Sequence, residues 1–135
     1  MVLVDTTVWI DYLHGINNAE TQWLDDKLGV RPVALTDLIL CEILQGVRRD
    51  QDFETIRRHF MQFQVFETGG VRLATASAQN YRELRRKGHT IRKTVDCLIA
   101  SFCLLHGHAL LHRDRDYDPF ERHLGMHVVH PGSDD

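Results

Sequence analysis

The chain has 135 residues, of which 43 % are hydrophobic and 26 % charged, a balance that excludes a disordered or low-complexity polypeptide and suits one domain spanning 1–135. Its net charge of −3 lacks the overall basic balance usual in nucleic-acid binders. The longest apolar stretch, CLIASFCLL at 97–105, is far shorter than the roughly 20 residues a membrane span needs.

The chain opens on VLV (2–4), a β-branched apolar run ended by Asp5. It reads as a buried strand. Asp5 breaks the apolar run too early for a secretion signal, and no basic segment precedes it, so a cytoplasmic location is expected. TTVWIDYL (6–13) reads as a short helix, and NAETQWLDDKLG (18–29) as a second, closed by Gly29. VAL (33–35) is the next strand. The helix TDLILCEILQGVRR (36–49) follows, capped by Thr36 or Asp37. QDFETIRRHFMQF (51–63) places Phe53, Ile56, Phe60 and Phe63 on one helical face. QVFE (64–67) is a third strand, and VRLATASAQNYRELRRKG (71–88) the longest helix. Thr94 is the expected cap of a helix over 95–106, with Gly107 at its C′ position. ALL (109–111) and HVV (127–129) are the last two strands, and PGSDD reads as a tail. Strands alternating with helices predict an α/β fold with a parallel sheet covered on both faces.

Side-chain inventory narrows the chemistry. Cys41, Cys97 and Cys103 form an odd set without a CxxC pair, which argues against a disulfide framework and against a zinc ribbon. All three lie among apolar residues and are expected to be buried. Cys103, His106, His108 and His112 make a poor zinc set, because a helix end and a strand separate them. His14, His59, His123, His127 and His130 read as surface residues. Trp9, Tyr12 and Trp23 belong to the core by default, or else to a dimer face or a partner's groove. Arginine outnumbers lysine 13 to 3, and its planar fork suits phosphate. RELRRKGHTIRK (82–93) is the densest basic run, although a solvated helix face is the commoner fate of such a run.

The acids are placed less ordinarily. In a parallel sheet, ligands bind beyond the C-terminal strand ends. Asp5 ends one strand, and Asp114 and Asp116 follow another. Glu42 interrupts an apolar helix, and Asp96 lies in the first turn of an almost wholly apolar one. A buried Glu needs a partner. Two carboxylates about 4 Å apart repel by about 4 kcal/mol at an effective dielectric near 20. A divalent cation removes that penalty, and an all-oxygen ligand set suits Mg²⁺ or Mn²⁺ rather than zinc.

Four segments in order, VDTTVWIDYL, LTDLILCEILQG, TVDCLIASFCLL and HGHALLHRDRDYDPF, resemble the motifs of the PIN domain, and specifically those of VapC-type toxins of toxin–antitoxin pairs. The resemblance spans nearly the whole chain. It implies a PIN-like three-layer α/β/α sandwich with a mainly parallel sheet of four to five strands. It implies a metal-dependent endoribonuclease acting on a structured RNA such as tRNA or rRNA, with 5′-phosphate and 3′-hydroxyl products. Asp5, Glu42, Asp96 and Asp114 would hold Mg²⁺ or Mn²⁺, and Asp116 would assist. Thr7 would support a ligand carboxylate or serve as a helix cap. Arg92, Lys93, Arg113 and Arg115 are candidates to grip RNA or remain solvated. The implied partner is a VapB-like antitoxin, and the implied assembly a homodimer that forms a heterotetramer or larger complex with it; inhibition is expected to work by an antitoxin arginine placed near the acids. His112 departs from the small hydroxyl residue usual before the fourth acid, and Ser101 and Cys103 replace frequent alanines.

Three rivals follow from the same residues. Haloacid-dehalogenase-like phosphatases need a second Asp two residues after the first, where this chain has Thr7. Receiver domains use a late lysine, and none follows Lys93. A non-catalytic RNA- or partner-binding module with a vestigial site is the non-enzymatic alternative.

Overall fold

The computed structural model describes residues 1–133; the last two positions of the expected tail lie outside the described residues. Five strands, β1 (Val2–Val4), β2 (Val33–Thr36), β3 (Gln64–Phe66), β4 (Ala109–Leu111) and β5 (His127–Val128), form one sheet in the order β3-β2-β1-β4-β5. Every pairing is parallel. Both flanks are covered by helices, which is why β1 and β2 are buried at every position and read as continuous apolar runs rather than alternating ones.

The chain builds outward from β1 to β2 and β3, then returns to the other side of β1 for β4 and β5. This places a topological switch point between β1 and β4, where a crevice opens beyond the strand ends. Val4 is paired with Leu111, and the Asp5 amide donates to the Leu111 carbonyl at 2.9 Å. Asp5 and the segment after β4 are therefore delivered to the same edge of the sheet.

Seven helices connect the strands: α1 (Thr6–Leu13), α2 (Ala19–Lys27), α3 (Asp37–Gln45), α4 (Asp50–Phe60), α5 (Val71–Arg86), α6 (Thr94–His106) and α7 (Asp118–Leu124). Thr36 caps α3 by accepting from the Ile39 amide, and Asn18 and Thr21 form a reciprocal capping box on α2. Asp37 is not the cap; it accepts from the Thr68 amide and hydroxyl instead. Thr94 is the first residue of α6 rather than its cap, and Lys93 holds the cap position without a capping side-chain bond. Gly107 ends α6 at φ 69°, a left-handed conformation that costs a glycine least. The 36–49 and 51–63 helices both stop earlier than their apolar periodicity suggests, α3 at Gly46 and α4 at Met61. The 3-10 turn Arg115–Tyr117 and α7 have no counterpart in the sequence reading, because charged HRDRDYD masks a short helix that buries only Phe120.

Trp9 is fully buried, with its ring edge-on to Phe60 at 5.0 Å. Trp23 is also buried, whereas Tyr12 is half-buried and its hydroxyl donates to Asp25. Both tryptophans therefore belong to the core. Cys97 and Cys103 are buried but Cys41 is exposed. Helix α3 turns Ile39 and Ile43 inward, and Cys41, two positions from each, falls on the opposite side. His14, His59, His127 and His130 are exposed, whereas His123 is half-buried with its Nε2 3.1 Å from that of His89. Phe53 likewise leaves the α4 apolar face for solvent. No described helix is long and apolar enough to cross a membrane.

Candidate active site

A cavity of about 550 Å³ opens at the switch point, lined by Asp5, Glu42, Asp96 and Asp114 together with Thr6, Thr7, Asp11, Lys93 and Arg113. Four elements supply the acids. Asp5 ends β1 and caps α1, Glu42 lies mid-way along α3, Asp96 is in the first turn of α6, and Asp114 precedes the 3-10 turn. The tightest group among the described residues is Asp96, Asp114 and Asp116, whose nearest carboxylate oxygens lie within 4.8 Å of one another. Asp116 belongs to that group without lining the cavity. Asp5 and Glu42 line the cavity and lie outside the tight group.

Three of the acids are held by specific donors. Asp5 Oδ2 accepts from the Thr7 amide at 3.2 Å and the Thr7 hydroxyl at 2.7 Å. Thr7 therefore orients a carboxylate and is not the helix cap: Asp5 caps α1 and accepts from the Thr7 amide. Thr6 Oγ1 donates to Glu42 Oε1 at 2.7 Å, which explains how Glu42 is tolerated on an otherwise apolar helix. Asp114 Oδ1 accepts from the Asp116 amide, and His112 Nδ1 accepts from the Asp114 amide. His112 thus anchors the backbone that carries Asp114. It does not line the acid cavity.

Asp96 is the anomaly. It is 5 % exposed, and its Oδ2 has no hydrogen-bond partner. Burial, followed by the charges of Asp5 and Asp114, pushes its carboxyl up to about 7. A buried, unpartnered carboxylate oxygen facing other acids is an unfavourable arrangement by itself. A hard divalent cation relieves it by supplying charge and coordination together, and the donor set is all oxygen, as Mg²⁺ or Mn²⁺ prefers.

The basic candidates divide. Lys93 and Arg113 line the cavity. Arg113 is anchored by Glu20 at 3.3 Å and Asp11 at 3.6 Å, and its amide donates to Thr7 Oγ1. Arg92 is 80 % exposed and pairs with Asp116 at 3.3 Å. Arg115 is exposed and faces a neighbouring depression with His130 and Pro131 instead. His106 and His108 stack around Phe102, and no described group of three ligating side chains includes them or Cys103.

Two residues of the site escape sequence reasoning. Asp11, which lines the cavity, carries no spacing signal of its own, though it lies on the α1 motif. Tyr117 is fully buried, and its hydroxyl donates to Asp5 Oδ1 at 2.8 Å and lies 3.4 Å from Asp96 Oδ1. Burial and these acids hold its hydroxyl pKa well above the usual tyrosine value, so it remains a donor.

An open parallel sheet with acids gathered at its β1/β4 crevice defines a class, and a family model described as PIN domain matches residues 2–122. The chain belongs to the PIN domain family. It is 32 % identical over 125 residues to VapC ribonuclease Mb1587 of Mycobacterium bovis and, to the same extent, to ribonuclease VapC11 of Mycobacterium tuberculosis, covering 90 % of this chain and 92 % of each relative. Among solved structures, VapBC2 from Rickettsia felis bound to a fragment of its promoter DNA superimposes with a TM-score of 0.75 at 15 % identity, covering 96 % of this chain and 98 % of that one. At that identity the likeness speaks for the fold.

Proposed function

We propose that this chain is a divalent-cation-dependent endoribonuclease, the toxin of a toxin–antitoxin pair, acting in the cytoplasm on a structured RNA such as tRNA or rRNA. The observation that carries the reading is the convergence of Asp5, Glu42, Asp96 and Asp114 on one cavity around a buried Asp96 oxygen without a partner. The ribonuclease relatives, matched along nearly their full length, support RNA as the substrate.

Asp5, Glu42, Asp96 and Asp114 would hold Mg²⁺ or Mn²⁺, with Asp116 assisting through its place beside Asp96 and Asp114. Such an ion supplies Lewis-acid chemistry, making water a better nucleophile at neutral pH and offsetting charge on the phosphate. Thr7 and Thr6, on the cavity wall, fix the Asp5 and Glu42 carboxylates. Lys93 and Arg113, on the cavity wall, meet the RNA backbone beside the acids. Arg92 reaches that rim only by releasing Asp116.

A second groove of about 680 Å³, lined by Ile10, Leu13, Ile43, Val47 and Ile56 among others, shares Ile10 with the acid cavity. An antitoxin segment lying there would bring a cationic side chain to the acids and displace the metal and RNA. A homodimer, and a heterotetramer or larger complex with the antitoxin, completes the proposal.

Purified protein is expected to cut RNA with Mg²⁺ or Mn²⁺, to leave 5′-phosphate ends, and to stop on adding EDTA. Asp5→Asn and Asp114→Asn should remain folded and inactive. Asparagine variants that cut as fast as the parent would refute the assignment and favour a non-catalytic binding module.

A further inference from the structure

Tyr117 takes part in the acid cluster without being an acid. The residue is fully buried, and its ring packs against His112 with centroids 4.8 Å apart. Phenylalanine would fill the same space. A hydroxyl buried beside carboxylates is costly unless it is used, and here it donates to Asp5 Oδ1 at 2.8 Å, with Asp96 Oδ1 at 3.4 Å. The two distances differ in meaning. The first is a full hydrogen bond and the second is at the outer limit, so the single proton belongs mainly to Asp5.

Asp5 is thereby held at both oxygens, by Thr7 on Oδ2 and by Tyr117 on Oδ1. A carboxylate gripped at both ends cannot rotate about its terminal bond without losing a donor. Tyr117 is itself fixed by the turn that carries Asp114: its amide donates to the Asp114 carbonyl at 3.1 Å. One 3-10 turn therefore links Asp114 and Asp116 to the β1 acid and the α6 acid.

We propose that Tyr117 is a positioning residue for the metal centre, its hydroxyl locking the orientation of Asp5 and tying Asp5 to Asp96. This rests on the assignment of these acids as metal ligands. Partners that orient ligands from behind change metal affinity by about 10–100-fold when removed.

The experiment is Mn²⁺ titration of the full chain by calorimetry, without RNA. Tyr117→Phe should bind Mn²⁺ about tenfold more weakly, while its metal-free melting temperature stays near that of the parent. Phe120→Leu, which alters a ring equally buried nearby, should lower the melting temperature and leave Mn²⁺ affinity within twofold. Equal Mn²⁺ affinity in parent and Tyr117→Phe overturns the inference, as does a tenfold loss in Phe120→Leu. A parent that binds no Mn²⁺ and cuts no RNA instead removes the nuclease reading beneath it. Should Tyr117→Phe fail to fold, the parent labelled with 3-fluorotyrosine decides. The chain has three tyrosines, and Tyr12→Phe and Tyr81→Phe assign the Tyr117 fluorine signal. That signal should shift on Mg²⁺ addition with the midpoint of a Mg²⁺ calorimetric titration of the parent, and an unmoved signal overturns the inference.

Discussion

Replacing Asp96 by asparagine should stabilise the metal-free protein while abolishing its activity. In the fold, burial and then the charges of Asp5 and Asp114 raise the Asp96 carboxyl from 3.8 to about 7. Between these values the folded chain holds a proton that the unfolded chain has released. Stability contributed at this position is therefore fully present below about pH 4, falls as pH rises to about 7, and is level above that. The gap corresponds to about 4 kcal/mol against the ionised form at pH 8, taking about 1.4 kcal/mol per tenfold step in proton affinity. Asparagine removes the charge but still buries an amide, which returns about 1 kcal/mol. A net gain of about 3 kcal/mol raises the melting temperature of a chain this size by about 10 °C. The assay is thermal unfolding of Asp96→Asn and parent in EDTA at pH 8 and pH 5. The variant should melt about 10 °C higher at pH 8 and nearly level with the parent at pH 5, where the parent's Asp96 is already neutral. Mn²⁺ should raise the parent's melting temperature at pH 8 and leave the variant's unchanged. A variant no more stable than the parent at pH 8 would refute the claim that unscreened burial of this carboxylate strains the metal-free fold.

Thr6→Val removes the 2.7 Å donor to Glu42 and should reduce RNA cleavage at limiting Mn²⁺ by about tenfold, with partial recovery as Mn²⁺ is raised. Arg113→Ala should raise KM for RNA more than it lowers kcat and should flatten the salt dependence of binding, as loss of a phosphate contact does. Native protein should present one thiol to a disulfide reagent: Cys41 is exposed, while Cys97 and Cys103 are buried and burial pushes the Cys103 thiol up to about 12. Two fast-reacting thiols would contradict the packing of α6. Trp9→Ala should cost about 3–5 kcal/mol, read as a lower denaturant midpoint, since its ring is fully buried and packs against Phe60, Phe63 and Tyr12.

Much of the scaffold was legible without coordinates, because its signals are local. Apolar triplets such as VLV and ALL read as strands, and Gly107, by its left-handed backbone, and Thr36, by its side-chain hydroxyl, punctuate their helices locally. Three of the acids stood out for a local reason too: Asp5, Glu42 and Asp96 adjoin or interrupt apolar runs, while Asp114 and Asp116 follow a strand end. Helix ends were less legible, since Gly46 stops α3 against a pattern that runs on. Cys41 was misplaced because an apolar neighbourhood in sequence does not say which way a helix faces. Strand order, and hence the β1/β4 crevice that brings residues 5 and 114 to one edge, is a property of packed layers. So are the pairing of Thr6 with Glu42 and the reach of Tyr117 across 112 positions to Asp5. The sequence by itself determined which carboxylates stand at strand ends or within apolar helices; only the tertiary structure decided that Asp5, Glu42, Asp96 and Asp114 share one cavity, because distances between residues far apart in the chain are set by how the layers pack.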